Sequence, residues 1–489
     1  MQRMHGVDAL GIYSETPTSP FTTLKVAIYR PVPPDDAPSA ADLRDFVREQ
    51  VLRLGRGIGD QRIVRVPFDL HHPLWVTDPD YSPDDHIYRA ALPAPGDKAQ
   101  LCDFLSDLMG RPLDPERPLW EAWIVEGLQG GRLAVVVKMH HSLADGATVA
   151  ELIERSHSTG ATESPSGPPG GDAVPGNARL LAGALVDLAK TFALELPDFL
   201  RERQLARQER ADGHEAAEPP PDLAAEARLP GHAPFTVLNA RRGGRYRVYR
   251  YETFSLAETK ELANAFGCTV NTLLLGVCSE ALRRYLADVD EVPASSLLAA
   301  MPVGHPGHPP HQTRLHPDLP RNDVAVAVLP LHQDVADFEQ RLQLIKRSSD
   351  AAVDRVLRAW GKRFDNFLEF LPGALVRRAV NDLSARQQAR GKDAYANVIV
   401  SNVVGPRQPL FALDGRLELV EVLSTGNITD AGNLNITAWS YVDDLCVSFY
   451  MRKGAMPEPD KLPAYLREVY EELQLSAQRS GDAEPAISR

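Results

Sequence analysis

Cysteine is scarce in this chain. It has four in 489 residues, Cys102, Cys268, Cys278 and Cys446, and no two stand at CxxC spacing. That argues against a zinc ribbon or a secreted disulfide framework and fits a reducing cytosol. Positive charge is in deficit: 53 Lys+Arg against 66 Asp+Glu give a formal net charge of −13. Broad attraction to nucleic acid is therefore not expected. No apolar run reaches the roughly 18 residues that a transmembrane helix needs. The first twenty residues, MQRMHGVDALGIYSETPTSP, contain acidic groups and no apolar stretch of signal-peptide length. The expected location is cytoplasmic, with peripheral contact with a membrane or lipid droplet left open. Three familiar catalytic signatures are also missing: a GxSxG nucleophile elbow, a GxxxxGK[ST] phosphate loop and an HExxH zinc helix.

What is present is material for substantial cores, 43% hydrophobic and 24% charged, at a length that favours more than one structural unit. LKVAIYRPV (24–32) reads as a strand, while 42–54 and 97–110 place apolar residues at helical spacing. WEAWIVEGL (120–128) and RLAVVVKMHH (132–141) flank Gln-Gly-Gly and predict a β-hairpin, followed by a helix over 147–157. The Ser/Gly/Pro-rich stretch 158–176 and the acidic, proline-rich stretch 214–234 predict a long connection. Between them Leu181, Leu185, Leu188, Phe192, Leu196 and Phe199 step by three and four. Such a stripe can serve a lipid surface, and packing on the protein is the expected use. The mixed pattern resumes near 236, with helices in ETKELANAFG and NTLLLGVCSEALRRYL. Strands are expected in DVAVAVLPL, NVIVSNVVG and SYVDDLCVSFYM. The expected organisation is an α/β half over 1–157, a partly helical connection over 158–235 and a second α/β half over 236–489.

Two stretches carry little chemistry. His305, His308, His311 and His316 are interrupted by Pro and Gly, lack acidic or cysteine company, and read as an exposed loop rather than a metal site. GRGIG (55–59) is half a dinucleotide fingerprint without a strand–turn–helix context. HHSLADG (140–146) is different. It ends an apolar strand in two imidazoles, and neutral imidazole can take a proton near neutral pH. The bland alternative is a packed histidine pair with Asp145 capping the next helix. A second pair, His71-His72, lacks the Asp-Gly and reads as structural or surface.

HHSLADG matches the HHxxxDG signature of the CoA-dependent acyltransferase superfamily. More narrowly, the chain resembles the bacterial wax ester synthase/diacylglycerol acyltransferase family. The supporting stretches run in order through GVDALGIYSETPT, LPAPG, LDPERPLWEAWIVEGLQGGRLAVVVKMHHSLADG, APFTVLNA, VNTLLLGVCSEALRRYL and SNVVGPRQPLF. The resemblance implies two chloramphenicol-acetyltransferase-like halves forming a pseudodimer with a central tunnel. It implies no cofactor, acyl-CoA as donor substrate, and diacylglycerol or a long-chain alcohol as acceptor. His141 would be the general base, with His140 and Asp145 shaping the loop and Gly146 leaving room for the acyl-pantetheine arm. Ser142 is not expected to be a nucleophile, because a side chain is poorly presented by its immediate neighbour.

The family offers an Asn-Asp pair as oxyanion or site support. Here it is Asn271-Thr272, a departure; the literal Asn322-Asp323 belongs to a different strand. Pro118, Leu119 and Trp120 read as a packing anchor with a possible substrate contact. Ser401, Asn402, Gly405 and Pro406 are expected to shape a turn near the tunnel, with Val404 replacing a family proline. Two further readings stay open: a condensation-type acyltransferase using another acceptor or a carrier-bound donor, and a degenerate lipid-binding paralogue.

Overall fold

Two six-stranded mixed sheets carry the architecture. The computed structural model describes all residues except 35–36, 55–58, 158–172, 198–199, 202–203, 205–207, 209–231, 241–242, 290, 305–323, 360–367, 391–393 and 483–489. The histidine-rich loop, most of GRGIG and Asn322-Asp323 therefore lie outside the described residues.

Strands follow the chain as β1 (Gln2–Arg3), β2 (Thr22–Pro31), β3 (Gln61–Val64), β4 (Leu74–Thr77), β5 (Ile87–Ala91), β6 (Trp120–Leu128), β7 (Arg132–His140), β8 (Arg247–Ser255), β9 (Leu298–Gly304), β10 (Val324–Pro330), β11 (Val398–Val404), β12 (Phe411–Ala412), β13 (Leu417–Ser424), β14 (Leu434–Tyr441) and β15 (Asp444–Arg452). Helices are α1 (Gly6–Ser14), α2 (Ala40–Leu54), α3 (Lys98–Met109), α4 (Gly146–His157), α5 (Asn177–Lys190), α6 (Leu256–Ala265), α7 (Val270–Asp288), α8 (Phe338–Ala359), α9 (Gly373–Arg390) and α10 (Lys461–Asp482).

The first large sheet runs β12-β13-β2-β7-β6-β5 and the second β10-β9-β11-β14-β15-β8. The expected hairpin is β6–β7, antiparallel, turning through Gly130 and Gly131 at φ 77° and 69°, a region that favours glycine. The sequence pattern gives no hint that β12 and β13 leave the second half of the chain to join the first sheet, where β13 pairs with β2, Ser424 opposite Lys25. The chain then returns to the second sheet as β14. A core cluster forms where the sheets meet, joining Leu24, Val26 and Leu105 to Leu423, Tyr249 and Cys446. Helix α3 closes the same seam: its Ser106 hydroxyl accepts the Tyr249 N–H at 2.9 Å.

A buried polar brace fixes the loop between α1 and β2. Arg452, 1% exposed, donates to Thr18 O, Thr429 O, Asn433 Oδ1, Ser19 Oγ and Asp430 Oδ1. Asp430 in turn accepts from the hydroxyls of Thr16, Thr18 and Ser19. Two residues after Ser19 the loop delivers Phe21 to the end of β7, so this C-terminal arginine indirectly positions the histidine pair.

The apolar stripe on α5 packs only in part: Leu181, Leu188 and Leu196 are half-buried, and Phe199 lies outside the described residues. The helix buries Leu180 and Ala184, whereas Leu185 is 58% exposed and Val186, Phe192 and Leu200 are also exposed. Small Ala184 lets that face approach the body, and Asp187 is held by Arg3, which orients the helix. No single helix among the described residues is long and apolar enough to cross a membrane.

Replacing Arg452 with Met is expected to cost about 3–5 kcal/mol, because Asp430 loses its cation while staying buried. A calorimetric midpoint lowered by several degrees would agree; an unchanged midpoint would show that the brace adds nothing.

Candidate active site

The histidine pair splits into two different environments. His140 ends β7, with its N–H donating to the Leu119 carbonyl at 2.9 Å. Its Nδ1 accepts the Ser142 N–H at 3.1 Å, and its Nε2 lies 3.4 Å from Glu15 Oε1. That spacing is electrostatic attraction rather than a well-formed hydrogen bond. Burial works against ionisation of Glu15. The His140 imidazole and the Phe21 N–H, which donates to Oε1 at 2.8 Å, outweigh it and hold the carboxyl below its usual range. His140, 2% exposed, is thus tied on both ring edges and shapes the turn.

His141 is more open. Its N–H donates to the Phe21 carbonyl at 2.9 Å, and the Phe21 ring sits 5.5 Å from its imidazole and 5.7 Å from that of His140. Burial pushes His141 down to about 4, and the Lys25 ammonium pushes the same way. A hydrogen bond to its own main-chain carbonyl, and Asp145, oppose them. The ring is therefore neutral at pH 7.

Ser142 is fully occupied: its hydroxyl donates to the Asp8 carbonyl at 2.8 Å. Asp145 Oδ1 accepts the Thr148 N–H at 2.8 Å, which makes Asp145 the N-cap of α4, as the bland reading had it. The cap leaves its charge close enough to act on both His141 and Lys25.

Gly146 lies against the second half of the chain. A Cβ there would meet Val403 Cγ2 of β11 at 2.8 Å, so the fold brings HHSLADG and SNVVGP together. Ser401 and Asn402 are strand residues paired with Thr437 and Ala438, so they do not form the turn expected of them; that begins at Gly405. Gly405 is close-packed for its own reason, since a Cβ would fall 2.2 Å from Ser440 O and 2.5 Å from Trp439 Nε1. Pro406 follows it, with its carbonyl accepting the Val442 N–H at 3.0 Å.

Pro118, Leu119 and Trp120 are buried. The Trp120 indole donates to Gly59 O at 2.8 Å and stacks on His86 at 4.8 Å, which makes it an anchor. Asn271 is not gathered into this cluster by any side-chain hydrogen bond. It stands near the start of α7, and its amide donates to the Met301 thioether at 3.3 Å. His71 and His72 are structural, with His72 held between the Tyr13 hydroxyl and the Leu368 carbonyl at 2.9 Å each.

Three side chains at the site escape sequence reasoning. Lys25 is buried in β2, its Nζ donating to Ser424 Oγ at 2.6 Å and lying 5.6 Å from the Trp439 ring. Burial brings its ammonium down to about 8, with Asp145 opposing. A lysine inside the apolar run LKVAIY was the available signal. Ser424 and Trp439 gave none, because only the crossing of β13 and β14 brings them here.

Two mixed sheets stitched by a crossing strand, with an HHxxxDG turn at their seam, define a chloramphenicol-acetyltransferase-like acyltransferase fold. The same fold occurs in the first condensation domain of the calcium-dependent antibiotic synthetase, at 15% identity, TM-score 0.55, and coverage of 100% of this chain and 97% of that one. It also occurs in the wax ester synthase/diacylglycerol acyltransferase from Marinobacter aquaeolei VT8, at 24% identity and TM-score 0.65, covering 98% of this chain and all of that one.

Residues 4–274 match the wax ester synthase/diacylglycerol acyltransferase catalytic domain, and residues 321–474 match the WS/DGAT C-terminal domain. A Mycobacterium tuberculosis protein named as a candidate diacylglycerol O-acyltransferase is 34% identical over 458 residues, 91% of this chain and 92% of its own. The O-acyltransferase WSD of Acinetobacter baylyi is 28% identical over 483 residues, 97% of each chain. The chain belongs to the wax ester synthase/diacylglycerol acyltransferase family.

Gly146→Ala is expected to lower acyl-transfer turnover at least tenfold by pushing α4 off β11, and Val403→Ala added to it should recover most of the loss. Steady-state rates of both variants check this; a double variant no better than the single one would break the link between the two motifs.

Proposed function

We propose that the protein transfers a long-chain fatty acyl group from acyl-CoA to diacylglycerol or a long-chain alcohol, making triacylglycerol or wax ester. The observation that carries this reading is His141, kept neutral by burial at the turn where HHSLADG meets β11. The acceptor hydroxyl gives its proton to the His141 imidazole as its oxygen attacks the thioester carbonyl. A C–O bond forms and the carbonyl electron pair moves onto oxygen. When the carbonyl reforms, the C–S bond breaks and the departing thiolate takes the proton from His141. No covalent acyl-enzyme is needed, and the engagement of Ser142 with Asp8 supports that route. The substrates would meet in a tunnel between the two sheets.

Purified protein given palmitoyl-CoA with dioleoylglycerol or hexadecanol should release free thiol in step with ester. His141→Ala should lower the rate by about 10²–10⁴-fold. Absence of ester with both acceptors would defeat the substrate assignment, and an alanine variant at full rate would defeat the base. The base works deprotonated, and burial has lowered its proton affinity. kcat/KM should therefore stay level as pH falls from 7 through the ordinary histidine range, then drop near pH 4. A fall centred at 6.5 would contradict this environment.

We also propose that the protein meets a lipid surface through the face formed by α5, the Pro67–Asp69 turn and α9. These elements pack together, and Phe68 on the turn is 86% exposed, alongside exposed Leu185, Phe192, Leu375 and Leu383. Arg65 and Arg377, both paired with Asp69, and exposed Arg378 supply cations beside them. Phe68→Ser with Leu185→Ser should reduce co-sedimentation with phosphatidylcholine/phosphatidylglycerol vesicles several-fold and leave the thermal midpoint in place. Unchanged co-sedimentation would place lipid contact elsewhere.

A further inference from the structure

Buried polar atoms without a protein partner are uncommon and call for an explanation. Among the described residues ten side-chain atoms are of this kind, and they include Thr22 Oγ1, opposite His140 on the β2–β7 ladder, Thr148 Oγ1 at the start of α4 and Trp439 Nε1. The indole of Trp439 is fully buried on β14, in register with Val403, the residue that meets Gly146. Beside it is the Lys25 ammonium. It has three donors and makes one hydrogen bond, to Ser424 Oγ. A buried cation with unused donors, next to a buried N–H with none used, is a site built for an electron-rich oxygen.

The strand register says where that oxygen would lie. On β2, Lys25 stands opposite Val137 and Thr23 opposite Met139; carried one step on, the ladder sets Phe21 beside His141, whose N–H bonds the Phe21 carbonyl. Lys25 and His141 thus belong to the same face of the sheet, four residues apart along β2, roughly 13 Å at about 3.3 Å per residue. Both side chains are long enough to reach into that interval from opposite ends.

Resting on the acyl-transfer reading above, we propose that Lys25 Nζ and Trp439 Nε1 form the donor pair that receives the thioester carbonyl oxygen as it becomes an oxyanion. The sign of the electrostatics supports it. A cation near His141 opposes the imidazolium that forms when the acceptor's proton arrives, so an isolated lysine there would slow the reaction. It helps only if a negative charge develops nearer to Lys25 than the positive charge on His141, which is where attack on the carbonyl places the oxyanion. Trp439 adds a neutral donor that costs the imidazolium little. The ionisable groups acting on Lys25 are Asp145 at the start of α4 and His141 after β7. β13 presents Ser424 and β14 presents Trp439, neither of which titrates in this range. The ammonium titrates near 8, so protonated Lys25 predominates at pH 7 and is lost above pH 8.

The test is the pH dependence of kcat in the full-length enzyme with palmitoyl-CoA and hexadecanol, for wild type, Lys25→Met, Lys25→Arg, Trp439→Phe and His141→Ala. Lys25→Met should lower kcat by about 10²–10³-fold, the loss typical of removing one oxyanion donor, with KM for palmitoyl-CoA within threefold. The alkaline limb near pH 8 should vanish with it. Lys25→Arg should retain a substantial part of kcat without an alkaline limb, since guanidinium keeps its charge. Trp439→Phe should cost about tenfold. If Lys25→Met keeps kcat within threefold while His141→Ala is inactive, the donor pair is overturned and the base survives. If His141→Ala is fully active, the underlying mechanism fails instead. Should Lys25→Met not fold, the arginine variant decides: an alkaline limb unchanged from wild type overturns the proposal.

Discussion

Strand β2 would be an open edge if the first sheet were built from the first 157 residues alone. Unpaired N–H and C=O groups along such an edge invite association or must be covered. Here they are covered by β13, which arrives from almost 400 residues later in the chain. Everything at the site depends on that pairing. It seats Ser424 against Lys25, sends the chain back as β14 with Trp439 over the same spot, and presses Val403 against Gly146. The two sheets are therefore interlocked, and the site is a property of the seam. The Arg452–Asp430 brace and α3 against β8 hold that seam from two other directions.

The seam also sets the chemistry. Closing it over His141 lowers the proton affinity of the imidazole, which keeps the base neutral but makes it a weaker acceptor. A weak base is a poor partner for an alcohol unless the charge formed on it is balanced nearby. Asp145 supplies part of that balance while serving as the α4 cap, and in the proposed mechanism a developing oxyanion supplies the rest at the moment of attack. His140 performs a separate task. With Ser142 on one ring edge and Glu15 beside the other, it fixes the turn that presents its neighbour. Two adjacent histidines, indistinguishable in composition, thus divide into a rigid post and the imidazole proposed as the base.

Local pattern made much of this readable. The β6–β7 hairpin, the helix after HHSLADG and the strand holding SNVVGP all follow from period and punctuation, and the motif itself fixes the histidine turn. Long-range placement was not readable. LELVEVLS looks like any buried strand, and nothing in it announces that it leaves its own half of the chain to pair with β2. Ser401 and Asn402 were expected in a turn together with Gly405 and Pro406 of the same motif, but the ladder to β14 extends through them as far as Val404, and Gly405 follows where a Cβ would collide with Ser440 and Trp439. The α5 stripe had the period of a packed face and packs only in part, with Leu180 and Ala184 buried, Leu181 and Leu188 half-buried and Leu185 turned outward. Lys25 was in plain view, one charge in an apolar strand, and its meaning lay in neighbours that the sequence keeps far away.

The departure at Thr272 takes its weight from the same geometry. Thr269 is the N-cap of α7, its hydroxyl accepting the Thr272 N–H at 3.1 Å, and the two hydroxyls pair at 3.0 Å. Thr272 therefore stands three residues past the cap, where a capping-box acid would reach back toward the N-cap and favour the positive end of the helix dipole. A carboxylate at this position would serve the start of α7, and the Thr269–Thr272 hydroxyl pair fills that space with a neutral bond. Asn271, one residue earlier, spends its amide on Met301. The contacts of both residues belong to the folding of α7 onto the second sheet, while the groups acting on His141 include Lys25 of β2 and Asp145 of α4. Loss of the acid thus removes a helix-start charge and leaves the electrostatics around the imidazole in the hands of Lys25 and Asp145.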